Sequence, residues 1–301
     1  MTVLEVENLN KRYGDFTAVD DLTFAVNAGE IFGLLGPNGA GKTTTIRIIM
    51  NIYPADTGTI RIMGEPPGGS PSRVIGYLPE ERGLYDDLTV LRTLTYLGKL
   101  KGMTGDAARQ RALVWLDRLE LADRAEEKVK SLSRGMQQKI QFIGALVHDP
   151  DVLILDEPFS GLDPLNVSII IGLMSDLQAN GKTIILSSHQ LNLVEELCQR
   201  ILVMNKGRAV LYGPVEQIKR EYSPPTVHVD SSTRIDATAV HGVDHAAMQN
   251  GHQVLTLVEG TDPEVVLKTL IDQNVGLRSF EIVDPPLEEI FVARVKESTH
   301  A

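Results

Sequence analysis

Gly36-Pro37-Asn38-Gly39-Ala40-Gly41-Lys42-Thr43 decides the reading of this chain. A glycine, four residues and then Gly-Lys-Thr follow Ile31-Phe32-Gly33-Leu34-Leu35, a short apolar run of the kind that marks a strand buried on both faces. Glycines let the backbone curl until successive N–H groups face inward at phosphate oxygens. The helix expected from Lys42 to Met50 adds the partial positive charge of its N-terminus. Lys42 then reaches the β- and γ-phosphates of a nucleotide, Thr43 offers a hydroxyl to Mg²⁺, and Thr44 continues the cradle. Strand, glycine loop and helix stand in the order this chemistry needs.

A second stretch supplies acid. Val152-Leu153-Ile154-Leu155-Asp156-Glu157 reads as a buried strand ending in two carboxylates. Burying such a pair is costly unless a cation waits there. In an open α/β sheet that end is where ligands bind. Asp156 is placed to hold Mg²⁺, directly or through its water, and Glu157 to polarise an attacking water as general base.

Around these motifs the chain alternates. Val3-Leu4-Glu5-Val6 and Leu22-Thr23-Phe24-Ala25-Val26 read as short strands, with turns at Tyr13-Gly14-Asp15 and Asn27-Ala28-Gly29. Residues 90–121 turn helical, with Trp115, Leu116 and Leu119 spaced as core filler. Thr183-Ile184-Ile185-Leu186 is another buried strand, and a helix over 166–179 precedes it. Alternation of this kind predicts an α/β fold with a mostly parallel sheet. Past Gly213-Pro214 the character changes, and Ser223-Pro224-Pro225 reads as a linker because consecutive prolines cannot continue a helix. Strands at 226–230, 253–259 and 277–283 and helices at 264–273 and 287–295 predict a small α+β appendage. The expected division is a nucleotide-binding domain over 1–218 with a helical subdomain at 86–148, a linker at 219–225 and an accessory domain at 226–301.

Composition narrows the classes. Hydrophobic residues make up 43% and charged residues 23% of 301, which excludes a disordered or fibrous chain. A net charge of −11 argues against a general grip on nucleic acid or anionic lipid. One cysteine, Cys198, rules out an internal disulfide and reads as a packing residue. The N-terminus carries no signal pattern, and no stretch approaches the roughly 18–20 apolar residues needed to span a bilayer. The expectation is a cytoplasmic protein whose membrane role, if any, comes through a partner. His228, His241, His245 and His252 form no metal-ligand pattern and read as structural or solvated.

Leu132-Ser133-Arg134-Gly135-Met136-Gln137-Gln138, ahead of the acidic pair, resembles the Leu-Ser-Gly-Gly-Gln signature of ATP-binding cassette (ABC) ATPases. Ser160-Gly161-Leu162-Asp163 resembles that family's D-loop, His189 its switch histidine, and Tyr13 the aromatic that stacks on adenine. The motifs follow the family's order and cover roughly residues 1–215. The resemblance implies a P-loop ABC ATPase fold with a mixed sheet core, and Mg·ATP as cofactor. It implies a head-to-tail sandwich dimer in which Ser133, Arg134, Gly135 and Met136 of one subunit close over the nucleotide of the other. Ser133 and Gly135 also have a physical logic of their own, since a hydroxyl and a bare backbone at the start of a helix over 135–146 suit a γ-phosphate. Asp163 would link the two sites, and His189 would sense the γ-phosphate.

Three positions depart from the family pattern. Glu80, in Gly76-Tyr77-Leu78-Pro79-Glu80, stands where a glutamine is usual, and would act on Mg²⁺ and the attacking water through a carboxylate instead. Arg134 replaces a glycine, and either contacts ATP across the dimer or points to solvent. Met136 replaces a glutamine. With residues 76–85 and the appendage, the chain is similar to the ATP-binding subunits of ABC-2-type exporters, including sodium-extrusion and drug-export systems. These pair with a separate polytopic membrane permease, which would hold this chain peripherally at the inner face of the membrane. The second subunit of the dimer would be another copy of this chain or a sister cassette. A coupling surface is expected at 81–87, with Leu84 and Tyr85 exposed. The alternative, a soluble ABC ATPase acting on ribosomes or nucleic acid, usually needs two cassettes in one chain or a coiled-coil insertion, and this sequence has neither. An ATP clamp without turnover would not need Glu157, and a small-molecule kinase would leave the signature and His189 without a role.

Overall fold

The computed structural model describes residues 1–301 except 69–73, 82, 222–225, 250–251, 259, 284–285 and 301, and the side chains of 249, 293 and 295–300. Contacts divide the chain into two compact units, Met1–Gly213 and Pro214–Ala301.

The first unit opens with an antiparallel sheet. Strands β1 (Thr2–Tyr13) and β2 (Phe16–Asn27) form a hairpin that pairs Tyr13 with Phe16 across its turn. They run well beyond the short segments expected from apolar alternation, because cross-strand pairing carries their polar halves along in spite of several register shifts. Next come β3 (Ile31–Leu35), α1 (Lys42–Ile49), β4 (Thr57–Ile62) and β5 (Ile75–Leu78). A helical segment follows, with α2 (Val90–Leu100), α3 (Gly105–Arg118) and α4 (Arg134–Leu146). The side chains of Thr89, Thr104 and Ser133 cap their N-termini in turn. Trp115, Leu116 and Leu119 are buried as their spacing predicts, and the Arg118 guanidinium lies 5.3 Å from the Trp115 ring centre. The unit ends with β6 (Val152–Asp156), α5 (Pro164–Ala179), β7 (Thr183–Ser188), α6 (Leu191–Leu197), β8 (Arg200–Asn205) and β9 (Arg208–Pro214).

Two sheets result. One is three-stranded in the order β2-β1-β4, and the other six-stranded in the order β5-β6-β7-β3-β8-β9. One apolar core joins them through α1, with Leu4, Leu9, Leu22 and Phe24 meeting Ile46, Ile49, Phe32, Ile154 and Leu202. In the larger sheet β5, β6, β7, β3 and β8 pair in parallel. Every residue of β3, β6 and β7 is buried, which explains their continuous apolar sequence. Register does the positioning: Leu35 pairs with Ser188, and Asp156 with Ser187. The glycine loop after β3, the acids ending β6 and the histidine after β7 therefore emerge together at the C-terminal ends of adjacent strands.

The second unit starts with α7 (Val215–Glu221), so residues 219–221 are helical where a linker was expected. The diproline lies outside the described residues. Strands β10 (Thr226–Ser231), β11 (Val243–Gln249), β12 (His252–Leu257) and β13 (Leu277–Val283) make an antiparallel sheet in the order β11-β12-β10-β13. Helices α8 (Pro263–Asp272) and α9 (Leu287–His300) complete it. Val227, Val229, Leu255 and Leu257 share a core with Val266 and Leu270. β11 went unseen in the sequence because Val243 is its one β-branched residue; pairing with β12 recruits it.

Strand β5 and helix α4 touch backbone to backbone. A methyl group on Gly76 would sit 2.2 Å from the Ala145 carbonyl oxygen and 2.8 Å from Pro150 Cγ. Gly76→Ala is expected to destabilise this unit by about 1–3 kcal/mol, the usual cost of overpacking. A denaturant melt reads it as a lower midpoint at unchanged slope; an unchanged midpoint would mean that α4 can step away from the sheet without loss.

Candidate functional site

The loop between β3 and α1 needs its glycines for two distinct reasons. Gly36 and Gly41 have φ of +142° and +107°, and a Cβ on either would meet a carbonyl oxygen, that of Met204 at 2.2 Å or Ala18 at 2.3 Å. The loop can thus lie against the backbone of β2 and β8. Gly41 precedes α1 without a side-chain cap, so the first amides of the helix stay open to an anion. A cavity of about 240 Å³ is lined by residues 38–44 with Phe16, Ala18, Glu80 and Glu157. Lys42 is buried, and its Nζ donates to the loop's own carbonyls, Gly36 O at 2.7 Å and Pro37 O at 3.3 Å.

Both acids are buried. Asp156 Oδ1 accepts from Ser187 Oγ at 2.5 Å and Thr43 Oγ1 at 3.4 Å, while Oδ2 is buried with no hydrogen-bond partner. Burial pushes the Asp156 carboxyl above its ordinary range, and the negative charges of Glu80 and Glu157 add to this against the two hydroxyl hydrogen bonds. Glu157 takes a left-handed backbone conformation, φ +50°, directly before Pro158, and its N–H donates to Ser187 Oγ at 3.0 Å. This conformation costs on the order of 1–2 kcal/mol for a side chain of L chirality. Glu157 Oε1 lies 3.5 Å from Lys42 Nζ, and Oε2 lies 2.9 Å from His189 Nδ1. A carboxylate only accepts, so the proton in that contact is on Nδ1.

The group fits a hard dication. An orphaned carboxylate oxygen, a hydroxyl and the nearby Glu80 are all oxygen donors, as Mg²⁺ prefers. Among the described residues no cluster holds three or more His, Cys, Asp or Glu able to bind a metal. That too suits Mg²⁺, which commonly uses one or two carboxylates and takes further ligands from phosphates.

Other expected site residues lie elsewhere. Tyr13 is exposed, packs edge-on to Tyr53 at 6.4 Å between centroids, and does not line the cavity; its hairpin partner Phe16 does. Ser133 and Arg134 are exposed and Gly135 and Met136 half-buried at the start of α4, all outside this cavity. The Ser133 oxygen accepts from Met136 N at 3.3 Å and keeps its own proton to donate. Asp163 caps α5, and hydrogen bonds from the Asn166 N–H and side chain hold its carboxyl below the ordinary range. In the expected coupling segment Tyr85 is exposed, edge-on to Tyr96, but Leu84 is half-buried, contrary to expectation. Cys198 is buried, and burial pushes its thiol far up, as a packing role requires. Sequence reasoning missed Ser187, which ties Asp156 to the Glu157 backbone. It also missed Gln138 on α4, which donates to Pro158 O at 3.3 Å. Neither has a local signal, since both act through strands or helices far away in sequence.

Comparison with known proteins agrees with this geometry. Residues 19–160 match the ABC transporter family, and residues 213–295 match the C-terminal domain of DrrA1-3-like ATP-binding proteins. The ABC transporter ATP-binding protein YhaQ of Bacillus subtilis (strain 168) is 38% identical over 97% of this chain and 98% of its own length. The linearmycin resistance ATP-binding protein LnrL of the same strain is 32% identical over 96% and 97%. The Nod factor export ATP-binding protein I of Paraburkholderia xenovorans (strain LB400) is 39% identical over 86% and 82%. Of solved structures, an ATP-binding subunit of an ABC transporter superposes with a TM-score of 0.68 at 33% identity, covering 73% of this chain and 93% of that one. A dimeric ATP-binding cassette in a post-hydrolysis state with ADP and Pi gives 0.65 at 25% identity, covering 70% and 98%.

The raised Asp156 carboxyl has a consequence for stability. Its folded state holds the proton more tightly than the unfolded chain, so its contribution falls as pH climbs from the ordinary carboxylate range through the raised value. At neutral pH the buried charge is a net cost. Asp156→Asn, which can still accept from Ser187 and Thr43, is expected to raise the nucleotide-free melting temperature at pH 7 by about 2–4 °C, equivalent to about 1 kcal/mol. The gain should vanish at pH 4, and equal melting at pH 7 would show that the buried carboxylate costs nothing.

Proposed function

This chain belongs to the ATP-binding subunits of ABC transporters, and we propose that it drives a separate polytopic permease of the ABC-2 exporter branch by closing and opening a dimer around two ATP molecules. It is an ATP hydrolase. The observation that carries the proposal is a division of labour: Lys42, Thr43, Asp156, Glu157 and His189 converge at the C-terminal ends of adjacent strands, while Ser133 and Gly135 lie outside that cavity. A second copy of the chain supplies the missing grip.

In this reading Lys42 exchanges its loop carbonyls for β- and γ-phosphate oxygens, and the amides at the uncapped start of α1 take the rest. Thr43, Asp156 and Glu80 hold Mg²⁺, which when bound neutralises charge on the phosphates. Glu157 polarises the attacking water, and its strained backbone holds the carboxylate where Lys42 and His189 both reach it. His189 fixes Glu157 by donating from Nδ1, and in its doubly protonated form would donate from its other ring nitrogen to the γ-phosphate. Ser133 donates its free proton, and Gly135 its bare backbone, to the partner's nucleotide. Arg134, exposed beside them, adds a charge-assisted contact, Met136 holds the Ser133 hydroxyl through its N–H, and Asp163 links the two sites. Tyr13 takes the adenine contact, beside its hairpin partner Phe16, which borders the cavity.

Export is supported by the relatives, since one confers linearmycin resistance and others serve Nod factor export by name. Among the described residues no helix is long and apolar enough to cross a membrane. The proposal gives the spanning segments to the permease and holds this chain peripherally on it at the inner face.

Glu157→Gln should bind ATP within about twofold of the parent and lose turnover by about 10²–10⁴-fold. Light scattering in excess Mg·ATP should find it dimeric; a monomer there overturns the sandwich. Copurification from native membranes in mild detergent should bring a stoichiometric polytopic protein, and ribosomal partners instead would overturn the export reading. Glu80→Gln is expected to move the Mg²⁺ dependence of hydrolysis, so superimposable Mg²⁺ titrations would remove Glu80 from the metal's ligands.

A further inference from the structure

The helix that carries the signature at its start sends one buried side chain to the backbone around Glu80. Gln141 lies on α4, two turns beyond Ser133, and is 6% exposed. Its Nε2 donates to Pro79 O at 3.0 Å and to Glu81 O at 3.2 Å. A primary amide has two N–H hydrogens, so one group serves both carbonyls. Those carbonyls belong to the residues on either side of Glu80. Gln141 Oε1 is buried with no hydrogen-bond partner, which costs free energy. A leucine or methionine would fill such a site at less cost, and what the amide adds is its grip on the loop.

We propose that Gln141 is a positioning residue for Glu80: its amide clamps both flanking carbonyls and so sets where the Glu80 carboxylate stands relative to Asp156 and Thr43. The clamp rests on the reading of Glu80 as a ligand of Mg²⁺ given above. Glu80 lines the cavity, and its charge is felt at Asp156. Ser133 caps the same helix, so a shift of the signature end is handed through Gln141 to the metal side of the site within one chain. No side-chain contact of Glu80 itself is needed for this, because fixing the peptides before and after a residue fixes its Cα and the base of its side chain.

The test measures metal affinity and not turnover. Mn²⁺ binding in the presence of ATP is followed by electron paramagnetic resonance in the non-hydrolysing Glu157→Gln chain. Gln141→Met keeps length and volume but removes both donors, and should weaken Mn²⁺ on the order of tenfold, the usual size of an outer-shell effect. ATP affinity without metal should stay within twofold. Glu80→Ala should weaken Mn²⁺ by a similar factor, and adding Gln141→Met to Glu80→Ala should change nothing more. Effects of the two that multiply would overturn the clamp, as would Gln141→Met binding Mn²⁺ like its parent while Glu80→Ala does not. If Glu80→Ala itself binds Mn²⁺ like the parent, the reading of Glu80 fails first and the clamp falls with it. Gln141→Asn keeps the amide one methylene short and carries the same expectations should the methionine variant fail to fold.

Discussion

Two carboxylates at the end of a fully buried strand set the terms for everything around them. Asp156 and Glu157 sit where water is scarce, and one oxygen of each lacks a hydrogen bond. Such a pair persists only when surrounding groups meet part of the cost. Lys42 from the glycine loop lies 3.5 Å from Glu157, Ser187 from the adjacent strand donates to Asp156, and His189 donates to Glu157, and together they offset part of it. Lys42 follows β3, and Ser187 and His189 both come from the end of β7, so the parallel register of β6, β7 and β3 is what holds the charges together. β7 stands between β6, which ends in the acids, and β3, which leads into the loop, and its Ser187 hydroxyl donates to Asp156 while accepting from the Glu157 N–H.

Local chemistry made part of this legible from sequence. The glycine loop, the acidic strand end and the buried strands declared themselves because each is written in consecutive residues with a physical reason for its spacing. The appendage's strands at β10, β12 and β13 were visible for the same reason. What escaped depends on pairing. β11 is a strand only because β12 lies beside it, and the long polar halves of β1 and β2 are carried by their register. Tyr13 and Phe16 face each other across one turn, and only the fold shows which borders the cavity. Gln138 and Gln141 read as ordinary polar residues on a helix, and their burial against Pro158, Pro79 and Glu81 is a property of three elements meeting.

Several residues hold two tasks at once. Ser133 caps a helix with its lone pair and keeps a proton; Asp163 caps α5 and is proposed to join two sites across a dimer. Both economies come from the same fact, that a helix N-terminus already needs an acceptor and already favours an anion. A cap residue placed at an interface therefore serves folding and closure without any extra side chain.

The bare contact at Gly76 gives the helical segment a mechanical character. Where a side chain separates a helix from a sheet, rotamers can yield and absorb a small displacement. Between Gly76 and the Ala145 carbonyl there is no side chain to yield. Helix α4 thus rests on β5 as a stiff lever on a hard fulcrum, with the signature at one end and the pivot near the other. A displacement at this contact therefore finds no rotamer to absorb it.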